Sequence, residues 1–133
     1  MRTGNSYYDI ASNDLEYIEA SFYLGYYNNL AAGCQQVVEK YLKHIVEHFC
    51  TDLEDINVMR THSLKVLQKL IITVIPDAKL NLDDMVFLTD YYFDARYPGV
   101  DYSIVTEEEA QRCLRIAQEV RDEINRVLKR DGE

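Results

Sequence analysis

Apolar residues recur along this chain at three- and four-residue intervals almost throughout, and no segment alternates as a half-buried strand would, so the pattern predicts an all-helical protein. Tyr8, Ala11, Leu15, Ile18, Phe22 and Gly25 form the first stripe, after a Ser6-x-x-Asp9 capping box, and predict a helix over about 6–27. Leu30, Cys34, Val37, Tyr41, Ile45 and Phe49 form the second, over about 29–49, with the chain reversal expected at Tyr26–Asn29. Residues 50–61 carry acid and little period and read as a loop whose Thr61 caps a third helix, over about 62–75 with Leu64, Leu67, Ile71 and Val74 inside. Pro76 ends it, and Asn81 starts a fourth, with Leu82, Met85, Val86, Thr89 and Phe93 facing inward. A break follows at Arg96-Tyr97-Pro98-Gly99, because proline disfavours helical geometry in the residue before it. The Thr106-x-x-Glu109 capping box then opens a last helix carrying Ala110, Cys113, Ala117, Val120, Ile124 and Val127. Short connections between long amphipathic helices predict an antiparallel up-and-down bundle of four main helices plus a short accessory one.

Length changes the picture only by limiting it: 133 residues predict one domain over 1–133, with a single core. No apolar run is long enough to span a membrane and no signal peptide is visible, so a cytoplasmic protein is expected. Cys34, Cys50 and Cys113 are odd in number and widely spaced, and read as free, buried thiols. The net charge of −9 opposes a broad nucleic-acid surface. Arg112, Arg115, Arg121, Arg126, Lys129 and Arg130 crowd the last helix, interleaved with acids, and read as a solvated face.

The segment His44-Ile45-Val46-Glu47-His48 spells H-x-x-E-H, and two histidines four apart on a helix can reach one zinc, with Glu119 or Glu123 as a third ligand. Three fixed residues in five arise readily in a charged helix, so the pair reads as a solvated face beside the acidic loop, with no metal and no cofactor expected. Tyr91, Tyr92, Tyr97 and Tyr102 cluster around Arg96, as half-buried rings or as the lining of an interface or pocket. Arg96, on the last turn of a helix, also complements the dipole there.

Four sequence elements taken together carry a resemblance. The pattern Ala31-x-x-x-Gln35-Gln36-x-x-Glu39-Lys40-x-x-Lys43, then Thr61-His62-x-Leu64, then Ala95-Arg96-Tyr97-Pro98, then a Glu-rich start to the last helix, resembles HEPN domains from about Tyr8 to Val127. In the group it resembles, an aspartate often follows the histidine; here Ser63 stands in that place. Ribonuclease members carry an arginine with a histidine four to six positions later. Here Arg96 has no histidine in that window, which leaves proton transfer from a ribose hydroxyl without an assigned base, and no catalytic residue is named. The resemblance implies a non-catalytic, homodimeric binding module that takes a nucleotide, or the substrate of a separately encoded minimal nucleotidyltransferase partner. Arg96 would be the anion contact, Tyr97 the wall of the pocket, His62 and Lys40 its flanks, and Gln36 a source of amide hydrogen bonds. A structural alternative pairs Arg96 with Glu39, with Gln36 and Lys40 completing an internal polar network. The functional alternative is a toxin-type HEPN ribonuclease using a divergent set around Arg96 and His62.

Overall fold

The computed structural model describes residues 4–50, 56–94 and 104–130. Among these the ordered elements are all helical: α1 (Tyr7–Ser21), α2 (Tyr27–Phe49), α3 (Leu64–Val74), α4 (Leu82–Thr89), the single turn α5 (Tyr91–Asp94) and α6 (Glu107–Arg130). The Arg96–Gly99 break, Tyr102 and the acidic residues Asp52, Glu54 and Asp55 lie outside the described residues.

Helix α1 starts as its sequence predicts, with the Ser6 hydroxyl accepting from the Asp9 amide at 3.1 Å. It ends earlier than expected. After Ser21 the chain tightens into a 3₁₀ turn, Phe22–Leu24, and Gly25 adopts φ 82°, a left-handed conformation in which its amide reaches back to the Phe22 carbonyl. The reversal therefore precedes Tyr27, and Tyr27–Asn29 already belong to α2.

Helix α2 is the central element, packing against α1, α3, α5 and α6. Contact on several sides explains why its buried set, from Leu30 to Val46, is wider than one amphipathic stripe. Helix α6 presents the stripe expected of it, Ala110, Cys113, Ala117, Val120, Ile124 and Val127 all being buried. Its Thr106–Glu109 capping box closes in both directions, the Glu109 amide donating to Thr106 Oγ1 at 3.1 Å and the Thr106 amide to Glu109 Oε1 at 3.3 Å.

One start and one face differ from expectation. Ser63, not Thr61, caps α3, accepting from the Val66 amide, while Thr61 Oγ1 accepts from the Ser63 amide and shapes the approach. His62 is consequently outside the helix. Asn81 caps α4 as predicted, but that helix buries Met85 and Leu88, leaving Leu82 and Val86 exposed. At about 100° per residue the buried direction lies between Met85 and Leu88, which turns Val86 away. Phe93 has no described side chain.

The arginines of α6 are tied down by acids. Arg112 meets Asp84 and lies over the Phe87 ring, Arg115 meets Glu119, and Arg121 meets Glu19 and Asp122. Arg126 grips the buried Glu123 with two bonds of 2.8 and 2.6 Å, Glu123 also accepts the Lys79 amide at 2.6 Å, and Arg130 pairs with Asp77. This latch holds the α3–α4 connection against α6. Burial alone would push the Glu123 carboxyl up, but the Arg126 bond, the Lys79 amide and the nearby positive charges bring it below the ordinary 4.5. A carboxyl lowered by folding contributes its full stabilisation above the ordinary value and loses it as pH falls through the lowered one. Glu123→Gln should therefore flatten the decline in stability below pH 4.5, measured by urea unfolding at stepped pH, and an unchanged decline would remove this latch from the acid response.

Candidate functional site

Three polar side chains occur at four-residue intervals on α2, inside an otherwise apolar surface: Gln35, Glu39 and Lys43, all buried. Burying a carboxylate and an ammonium is costly unless each is paired and hydrogen-bonded. Here Glu39 receives three partners. Lys43 Nζ lies 2.9 Å from Oε2, Gln35 Nε2 donates to Oε1 at 3.1 Å, and the His62 Nδ1 is 3.0 Å from Oε1. The amides extend the network, since Gln36 Nε2 donates to Gln35 Oε1 at 2.7 Å and Gln35 Nε2 donates to the His62 carbonyl at 3.2 Å. Helix α2 thereby holds the segment before α3 by both the backbone and the side chain of His62.

His62 is one of the points at which this interior network meets solvent. Its side chain is 41% exposed, against 6% for that of Glu39, and its ring stacks on Tyr92 of α5 at 3.9 Å and 16°. A carboxylate can only accept, so the Glu39 contact places a proton on Nδ1 and leaves Nε2 as the polar edge available to a ligand. The result is an aromatic shelf of imidazole and phenol, anchored from beneath by a buried carboxylate. Preorganisation of this kind suits recognition, because the ring's freedom is already spent in the free protein. Arg96 follows α5 by two residues in the chain.

Of the residues picked out from the sequence, the structure brings Glu39 and His62 into contact and links Gln36 to them through Gln35. Lys40 is elsewhere: it faces α1, 3.5 Å from Asp14. Arg96 and Tyr97 lie outside the described residues, so neither the pocket nor the Arg96–Glu39 pairing receives a geometry. Gln35 and Lys43 were not singled out as site residues; their signal is the four-residue spacing through Glu39. Of the tyrosines, Tyr91 is buried and donates to Glu109 Oε2 at 2.5 Å, whereas Tyr92 stacks on His62.

His44 and His48 share a helix face, their rings 4.2 Å apart, with His48 Nδ1 2.8 Å from the His44 carbonyl. His44 is buried against Tyr8, contrary to the solvated face expected, because α1 covers that part of α2. Glu123 and Glu119 are engaged by Arg126 and Arg115. Among the described residues no group of three or more His, Cys, Asp or Glu is placed to hold a metal ion. The three cysteines are free and buried; burial pushes the Cys113 thiol up to about 12 and that of Cys34 higher still, which makes both poor nucleophiles. No helix among the described residues is long and apolar enough to cross a membrane.

Comparison with known proteins agrees with the resemblance in the sequence. A scan of protein families matches the HEPN domain over residues 5–127, nearly the whole chain. Searches of curated proteins and of solved structures returned no match. With the family match spanning all of the described helices up to the last turn of α6, the chain belongs to the HEPN domain family.

Proposed function

We propose that this HEPN domain is a non-catalytic binding module that takes a nucleotide at the His62 shelf. The observation that carries the reading is the Glu39–His62–Tyr92 arrangement, a half-exposed imidazole fixed by a buried carboxylate and backed by a phenol ring. The π surface suits a base, and the Nε2 edge supplies one polar contact. Arg96, placed by sequence just after α5, supplies the guanidinium for bidentate contact with a phosphate, with Tyr97 beside it. The absence of a histidine four to six residues after Arg96 favours binding over cleavage.

In this reading residues 1–133 form one cytoplasmic domain, its helices run up and down in antiparallel order, and two copies associate symmetrically. The occupant is a free nucleotide or the nucleotide-bearing substrate of a separately encoded minimal nucleotidyltransferase. A thermal-shift titration with ATP tests it. ATP should raise the melting temperature of the wild-type protein, because a ligand selective for the folded state stabilises it, and Arg96→Ala and His62→Ala should each abolish the shift while keeping their helical content. Shifts of wild-type size in both variants would remove the site. RNA cleavage lost in both variants would replace the binding module by a ribonuclease.

A further inference from the structure

The displaced Lys40 leads to a second concavity. Between α1 and the first half of α2 lies a groove of about 330 Å³, to which Gln36 and Lys40 contribute and His62 does not. Its floor is apolar, made by the buried Ile18 and Leu30, and its rim carries two phenol rings, Tyr17 at 70% and Tyr26 at 68% exposure. Exposed phenol rings at the rim offer faces for stacking, and pockets between helices of this volume are of small-molecule size. At the polar end, Gln36 spends one amide proton on Gln35, which leaves its carbonyl and second proton for an occupant.

Charge narrows the class of occupant. Among the described residues, the charged ones lining the groove are Asp14 and Lys40, which face each other at 3.5 Å and cancel. An anion would have to displace Asp14 from Lys40, on a chain whose net charge is −9. We infer that the α1–α2 groove is a binding site for an uncharged, planar, heteroaromatic molecule, whose faces stack against Tyr17 and Tyr26 and whose polar edge bonds to Gln36. This groove is distinct from the His62 shelf, to which it is joined through the Gln36–Gln35 hydrogen bond.

Adenosine is a suitable probe, with AMP as its charged counterpart, followed by amide and side-chain NMR of the full chain. Adenosine should shift the signals of Tyr17, Tyr26 and the Gln36 amide saturably, and bind there more tightly than AMP. Tyr17→Ala and Gln36→Leu should each weaken that binding about tenfold. Tyr17 is largely exposed, so its removal leaves the fold intact and the loss interpretable. The inference is overturned by a linear response without saturation, by stronger binding of AMP in the groove, or by undiminished affinity in both variants. Adenosine shifts confined to His62 and Tyr92 would also overturn it while supporting the nucleotide shelf.

Discussion

Glu39→Ala is expected to cost about 3–5 kcal/mol of folding stability, the range for removing one partner of a buried ion pair. The substitution strands Lys43, whose side chain is 7% exposed and whose ammonium lies 2.9 Å from the lost carboxylate. Gln35 loses an acceptor and His62 its Nδ1 partner at the same time. Most of the loss comes from the uncompensated ammonium, so Glu39→Ala combined with Lys43→Met should recover a large part of it. Urea unfolding of the two variants separates these terms. A loss below about 1 kcal/mol for Glu39→Ala would mean that the network contributes no more than an exposed pair.

The second large effect tests the facing of α4. Met85→Ala should cost about 2–5 kcal/mol, the transfer term plus the cavity left in a packed interior, whereas Val86→Ala should stay within about 0.5 kcal/mol. Met85 is 1% exposed and Val86 46%, although the sequence pattern placed both inside. Thermal unfolding of the two single variants decides between the faces, and equal losses would restore the inward Val86.

Why the sequence misplaced Val86 is instructive. An eight-residue helix offers barely two turns of periodicity, so Leu82, Met85, Val86 and Thr89 form as plausible a stripe as the Met85–Leu88 direction that packing selects. The long helices were legible because their stripes repeat many times, and α1 and α6 also start on side-chain caps, at Ser6 and Thr106. The early end of α1 was hidden because Phe22 continues the apolar spacing, while the 3₁₀ turn that follows and the left-handed Gly25 that closes it are backbone properties.

Part of the polar network around Glu39 was legible as residue types, and its geometry was not. Glu39, His62 and Gln36 were identified through the family resemblance, and nothing local in the sequence says that Glu39 reaches across to the segment before α3. Its apolar neighbours on α2 do carry the clue: a carboxylate at that depth needs donors, and Gln35 and Lys43 stand one helical turn to either side. Lys40, one residue from Glu39, turns by about 100° and so meets Asp14 of α1 instead. Adjacent residues of one motif thus serve two different surfaces.

The nucleotide shelf is tested most directly by following the three histidine rings by NMR as ATP is added to protein carrying ¹³C-labelled histidine. The account predicts that the His62 ring signals move saturably, that those of His44 and His48 stay in place, and that Arg96→Ala removes the movement. A stationary His62 ring at saturating ATP, or equal movement of all three rings, would contradict it.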